Sequence, residues 1–192
     1  MDADFSVELG HDDPVLDFPW KDPTGKLAYF DLKRQPELIA HIEEAKKFPE
    51  LAEFLRAVNS TRSLVESAKC DAWSTTDLSA EEDVFNASHK FANYIDLVFS
   101  STDDRWSLPR HEEFARRLVA LLRRVPEMSA SVEVCLRRCF FEEAGQAREG
   151  FYFTIYVSGY GNDLAAAQKS WAIATKLVGS AILQLSGSEA TF

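Results

Sequence analysis

The feature that most constrains the fold is a change in the spacing of apolar residues near residue 63. Between residues 36 and 58, apolar side chains recur every three or four residues, as on one face of a helix. From residue 63 onward, four stretches alternate with a period of two, which is typical of strands whose two faces differ. These stretches cover residues 63–74, 91–99, 129–142 and 151–158. Helical spacing returns at residues 109–124 and 163–185.

The order after residue 63 is therefore strand, strand, helix, strand, strand, helix. Two hairpins, each followed by a helix, predict an α+β fold in ββαββα order over residues 63–185. We expect a four-stranded, mainly antiparallel sheet with both helices on one face. A parallel central pair of strands stays open as an alternative, because the helix at 109–124 could serve as a crossover.

The N-terminal third is predicted to add a helical pair. Pro36 and Pro49 each stand where a helix takes its first residue, since a missing N–H costs nothing there. Residues 15–20 and 26–32 are apolar runs separated by turn residues, and they predict a small hairpin. Residues 1–14 are expected to form an irregular acidic lead, and residues 15–192 a single α+β domain.

Acidic residues dominate the chain and concentrate at its start. The net charge is −10, and residues 1–22 hold seven acids against one base. A negative field repels the phosphates of nucleic acids and of anionic lipids, which argues against binding to either. A basic protein partner fits this charge best.

The cysteines and the absence of targeting patterns indicate a compartment. Cys70, Cys135 and Cys139 are too few and too unevenly spaced for a disulfide framework. The chain shows no basic region followed by an apolar run and no apolar stretch long enough to span a bilayer. We therefore expect a soluble cytoplasmic protein with reduced thiols.

One face of the predicted sheet collects aromatic and charged side chains. The candidate binding residues on it are Trp73, Tyr94, Asp96, Arg137, Tyr152 and Tyr156. Tyrosine and tryptophan combine apolar area with a polar tip, so such a face can bind a ligand or another protein. The alternative is that residues 15–60 pack over this face and make it a second core. An error of one residue in the strand phases would invert the set.

The final helix has few charged residues. Between Leu164 and Leu185 only Lys169 and Lys176 are charged, whereas a surface helix normally keeps a charged face. Two interpretations follow. Either the helix is central and covered by the N-terminal helices, or it forms a homodimer or partner interface through Trp171, Ile173 and Leu177.

No pattern in the chain predicts a metal site, a cofactor site or a catalytic centre. The four histidines match no zinc-site spacing, and neither H-E-x-x-H nor G-x-S-x-G is present. The glycine-containing turn at 159–163 lacks the second half of either phosphate-binding fingerprint, and helix capping explains it. We expect no metal and no cofactor.

These observations favour a non-catalytic protein-interaction or regulatory module, with a basic protein partner or a second copy of the chain as its ligand. The competing hypothesis is a small enzyme or small-molecule-binding protein with a pocket between the N-terminal helices and the sheet. A deep pocket that holds His41 or His89 beside a carboxyl group with a shifted pKa favours this competitor. A flat, exposed sheet face favours the interaction module.

Overall fold

The computed structural model describes residues 1–143 and 145–189, apart from the side chains of residues 81, 83, 84 and 189. The rest of the predicted domain, residues 144 and 190–192, lies outside this part. The strands are β1 (Asp2–Glu8), β2 (Val15–Phe18), β3 (Val65–Thr75), β4 (His89–Phe99), β5 (Ala130–Glu143) and β6 (Gln146–Gly161). The α-helices are α1 (Glu43–Lys47), α2 (Pro49–Val58), α3 (Thr102–Arg105), α4 (Leu108–Leu122) and α5 (Leu164–Glu189), and 3₁₀ helices span Pro36–His41 and Ala80–Phe85.

The strands form one sheet in the order β1-β5-β6-β4-β3, and β2 continues beside β5 where β1 ends. β1 and β2 run parallel to β5, and every other pairing is antiparallel. The α+β class is confirmed. The prediction of a four-stranded, mainly antiparallel sheet with an N-terminal helical pair is wrong, because the N-terminus supplies two further strands and makes the sheet six-stranded and mixed.

The N-terminal predictions need three corrections. Residues 2–8 of the expected irregular lead form β1, in which Asp2 and Asp4 are exposed and Ala3 is buried. β2 pairs with β5, so the expected hairpin is reduced to its turn end, where an antiparallel bridge joins Lys21 to Ala28 and the Tyr29 N–H donates to the Trp20 carbonyl at 2.9 Å. The single helix expected from Pro36 is divided in two. Pro36–His41 is a 3₁₀ helix, and the extended backbone of Ile42 separates it from the five-residue α1.

The helices cover one face of the sheet, which we call the inner face. α5 lies in the middle of this layer, between α2 and α4 and against β6. Its side chains Trp171, Val178 and Ile182 are buried in the main core. The apolar character of this helix is therefore explained by its central position.

The sheet ends in β1 on one side and in β3 on the other. On β1, the Arg123 guanidinium donates from Nε to the Ala3 carbonyl at 2.8 Å and from Nη2 to the Asp4 carboxylate at 3.4 Å. α4 thus holds the acidic start of the chain against the sheet. At the other end of the sheet, β3 has a strand partner on one side only, namely β4.

Candidate functional site

All six candidate residues of the sheet lie on its outer face, away from the helices. The register sets Tyr94 opposite Tyr156, and it sets Arg137 opposite Tyr152. The alternation of side chains thus placed these six residues on one face, although a β-bulge between Ser67 and Lys69 reverses the phase predicted for the first part of β3. The six residues nevertheless differ in how much of each side chain reaches solvent.

The accessible part of this face is a row of side chains that crosses four strands. Asp71, Tyr94, Tyr156 and Glu133 are successive register partners on β3, β4, β6 and β5. Trp73 lies beside the row, with 37% of its surface exposed and its ring centroid 6.4 Å from that of Tyr94. The two tyrosine rings are 6.2 Å apart. We call these five residues the open strip.

Both ends of the outer face are covered by other parts of the chain. At one end, residues 16–29 pack Leu16, Phe18, Trp20 and Tyr29 over Tyr152 and the surrounding strands. At the other end, the ring of Phe85, in the 3₁₀ helix Ala80–Phe85, stacks on Tyr160 at a centroid distance of 4.0 Å. The open strip is the interval between the two covers.

The Trp20 indole fixes the first cover, because its Nε1 donates to the Ala68 carbonyl at 2.6 Å. Replacing Trp20 with phenylalanine is expected to lower the free energy of unfolding by about 1 kcal/mol, since the hydrogen bond is lost while most of the apolar area stays. Urea unfolding measures this change. Trp73→Phe is the matched control, and equal effects of the two substitutions would contradict the assigned role of the indole N–H.

A chain of hydrogen bonds lies beneath the open strip. Arg137 Nε donates to Glu8 Oε2 at 2.7 Å, and its Nη1 donates to Thr154 Oγ1 at 3.0 Å. Thr154 Oγ1 in turn donates to Asp96 Oδ1 at 2.7 Å. The chain joins β1, β5, β6 and β4, and it gives each buried polar group a partner.

The carboxyl groups at the two ends of this hydrogen-bond chain titrate differently. Burial raises the pKa of Asp96 to about 6, although the bond from Thr154 and the nearby Lys69 and Arg137 charges oppose the rise. Burial also acts on Glu8, but the bonded guanidinium of Arg137 outweighs it and holds the pKa of Glu8 below its ordinary value. Asp96 is thus the acid of this face that changes charge near pH 6.

Burial removes three candidate residues from direct contact with a ligand. Asp96, Arg137 and Tyr152 are all buried, the first two within the hydrogen-bond chain and the third under the first cover. The predicted binding face therefore narrows to Trp73, Tyr94 and Tyr156. Residues 15–60 do cover part of it, but only at one end.

The candidate interface on α5 is also divided by the structure. Trp171 belongs to the main core, where its Nε1 donates to Asn93 Oδ1. Leu177 is half-buried, whereas Ile173 exposes 47% of its surface. Trp171 therefore cannot contact a second molecule directly, and Ile173 is the apolar side chain of this set that faces solvent.

A cleft of about 560 Å³ lies along β3, and we call it the β3 cleft. Its floor is formed by residues 67–71, one wall by residues 26–32, and the other by residues 41–44. His41 lines it, as the pocket hypothesis requires. However, Asp96, whose pKa is raised, is not among its lining residues, and His89 lies elsewhere, within 3.1 Å of the Ser88 hydroxyl.

The sequence did not predict that three residues of the kinds that bind metal ions lie close together. Glu8, Glu133 and Cys135 bring their ligand atoms within 4.8 Å of one another. The Glu8 carboxylate already accepts hydrogen bonds from Arg137 and Ser6, so part of its charge and coordination capacity is taken. The group depends on the pairing of β1 with β5, which nothing local in the sequence predicts.

The residues most important for holding the outer face were also missed. Thr154 and Glu8 complete the hydrogen-bond chain, and Trp20 fixes one cover. The alternation of β6 placed Thr154 on the correct face, but its two partners lie on other strands. Glu8 and Trp20 reach this face from the N-terminal segment, whose path the sequence did not reveal.

Comparisons with protein-family models, with curated proteins and with solved structures gave no match for this chain. Among the described residues, no helix combines the length and the apolar character needed to cross a membrane.

Proposed function

We propose that this chain is a non-catalytic protein-interaction module that binds a basic segment of a partner protein on the open strip. The observation that carries the proposal is the cross-strand row in which two half-exposed tyrosines stand between two exposed carboxylates, Asp71 and Glu133. Aromatic side chains with wet polar tips are enriched where proteins bind one another.

The charges around the strip favour a basic ligand. Neither Asp71 nor Glu133 forms an ion pair with another residue in the described part of the chain. The guanidinium of Arg137 is bound to Glu8, and Lys69 sits over the rings of Trp20 and Tyr94 at 5.3 and 5.8 Å. A Lys or Arg side chain can therefore stack on the exposed rings while its charge meets a carboxylate at either end of the row.

The proposal is tested by selecting a random peptide library on the immobilised protein and measuring the affinities of the enriched peptides. We expect peptides rich in Lys and Arg, with binding that weakens as salt rises. Trp73→Ala is expected to lower their affinity about tenfold or more, because an exposed aromatic anchor is removed. Glu133→Lys is expected to remove much of the salt dependence.

Ile173→Ala is the matched control, since Ile173 is a comparably exposed apolar residue on the helical side of the molecule. The Ile173→Ala variant is expected to bind the peptides with the same affinity as the unmodified protein. An empty selection would contradict the proposed function. So would peptides whose binding responds to Ile173→Ala as strongly as to Trp73→Ala.

The β3 cleft favours the second candidate function, a small-molecule-binding protein. Its volume of about 560 Å³ lies within the range of ligand pockets, and it stands between the N-terminal helices and the sheet. Its floor, however, is the edge of a strand, and a strand edge fits an extended polypeptide better than a small molecule.

A further inference from the structure

β3 presents an unpaired edge. It is the last strand at its end of the sheet, and its eleven residues pair only with β4 among the described strands. An edge of this length is a template for a further strand unless something covers it. Side chains of other described segments cover only the start of this edge, where Lys33 donates to the Val65 carbonyl at 3.1 Å and Trp20 donates to the Ala68 carbonyl.

One hydrogen bond shows which backbone groups of β3 point away from β4. The Ala72 N–H donates to the carboxylate of Asp71 at 2.7 Å. Pairing with β4 is regular from Lys69 onward, beyond the bulge between Ser67 and Lys69, so the even-numbered residues from Cys70 direct both N–H and C=O to this side. Cys70 and Ser74 therefore present the same groups to the edge, where no other described residue forms a hydrogen bond with them.

The β3 cleft runs beside this edge and supplies two unlike walls. One wall carries Leu27 and Phe30, which expose 64% and 39% of their surfaces. The other carries Glu43 and Glu44. Successive side chains of a strand point in opposite directions, so a strand laid in the cleft would direct alternate residues to an apolar wall and to an acidic wall.

The electrostatics at the floor agree with the acidic wall. Cys70 is half-buried at the edge, and burial raises the pKa of its thiol to about 12, with the negative charges of Glu44, Asp71 and Asp96 adding to the rise. Burial disfavours any charge at this position, but the three carboxylates attract a cation at the cleft. The cleft is thus complementary to a basic side chain at the positions that face Glu44.

We infer that β3 binds an extended polypeptide segment as a seventh strand, with its backbone paired to Cys70, Ala72 and Ser74. Apolar side chains of the segment face Leu27 and Phe30, and alternate Lys or Arg side chains face Glu44. Main-chain pairing supplies affinity and the two walls supply specificity. This inference rests on the proposed function in one respect, namely that the ligand is a basic segment of a protein, and it does not require that the segment bind on the open strip.

The test uses the peptides enriched from the random library and two kinds of change. Ala72→Pro removes an edge N–H without removing a bond to β4, and a proline is tolerated on this side of an edge strand. We expect at least about a tenfold loss of peptide affinity, because the peptide carbonyl is left unpaired. Ala72→Val keeps the N–H and is expected to bind like the unmodified protein. Ser74→Pro provides a second variant if Ala72→Pro does not fold.

The second change is made in the peptide, so it does not depend on the stability of any variant. Methylating its backbone nitrogens one at a time is expected to abolish binding at alternate residues and to leave the intervening residues unaffected. This alternation is the signature of strand pairing.

The outcomes separate the inference from the proposed function. Peptides that respond to Trp73→Ala, but to neither Ala72→Pro nor methylation, would overturn strand pairing and leave the open strip as the binding site. Peptides that respond to Ala72→Pro and to alternate methylation, but not to Trp73→Ala, would support strand pairing and overturn binding on the open strip. An empty selection would overturn both.

Discussion

Replacing Gly159 with alanine is expected to destabilise the protein by about 3 kcal/mol or more, because this position has no room for a side chain. An added Cβ would lie 2.1 Å from the backbone nitrogen of Trp171 and 2.4 Å from the Ala167 carbonyl oxygen. Both atoms belong to the backbone of α5, so neither can rotate away. The central helix would have to move off β6, and the core around Trp171 would open with it.

Gly187→Ala is the control for this prediction. Gly187 also lies in α5, but an added Cβ there meets no atom of another described element within 4 Å. Alanine is the better helix former, so this substitution is expected to stabilise the chain by about 0.5–1 kcal/mol. Urea unfolding of the two variants measures both changes. A Gly159→Ala protein with the unfolding midpoint of the unmodified chain would show that α5 does not approach β6 this closely.

The close packing at Gly159 shows how far the sequence could predict the fold. Alternation placed β3 to β6, and helical spacing placed α4 and α5, because each pattern is local. The acidic start carried the same kind of signal, since Asp2–Glu8 alternates acidic or polar residues with Ala3, Phe5 and Val7. The concentration of charge led instead to the expectation of an irregular lead, although an edge strand can expose acidic side chains along one face.

The pairing of β1 with β5 could not be predicted in this way. Phe5 lies opposite Val134 in a parallel ladder, and almost the entire chain separates them. Parallel pairing requires a long connection and leaves no turn sequence to fix its register. Local sequence patterns therefore could not predict the six-stranded sheet.

The sequence predicted which face of the sheet the candidate side chains point to, but not how deeply each of them is buried. The phase of the strands placed Tyr94, Tyr156 and Trp73 on one face, which the structure also does. Which of their neighbours are buried depends on two covers contributed by distant segments, and one of them begins at β2. Burial of Tyr152 and Asp96 follows from these tertiary contacts, and no spacing within β4 or β6 carries that information.

The second large effect is expected in the pH dependence of stability, where two buried groups oppose each other. Asp96 has an ordinary pKa of 3.8, which the folded chain raises to about 6. The folded state therefore holds this proton more tightly. The stabilisation is fully present below pH 3.8 and is lost as the pH rises through 6, an interval that corresponds to about 3 kcal/mol.

His111 acts in the opposite sense. It is fully buried, with Nδ1 2.8 Å from the Ser107 carbonyl oxygen and Nε2 3.1 Å from that of Phe151. Burial lowers its pKa from 6.5 to about 4, although both carbonyl contacts favour the protonated ring. Its contribution is therefore present above pH 6.5 and is lost as the pH falls through 4, again by about 3 kcal/mol.

Because the two contributions run in opposite directions over nearly the same pH interval, they largely cancel in the unmodified protein.

Asp96→Asn keeps an acceptor for the Thr154 hydroxyl and removes the buried charge, so it is expected to be more stable than the unmodified chain by up to about 3 kcal/mol at pH 7. This advantage should vanish below pH 4, where Asp96 is protonated, so the variant loses stability more steeply on acidification. Urea unfolding of both proteins between pH 4 and pH 8 measures the difference, in which the titration of all unchanged groups cancels. A difference that stays constant over this range would show that Asp96 is not desolvated on the outer face, and that its bonds to Thr154 and its neighbouring cations fully offset the cost of burying its charge.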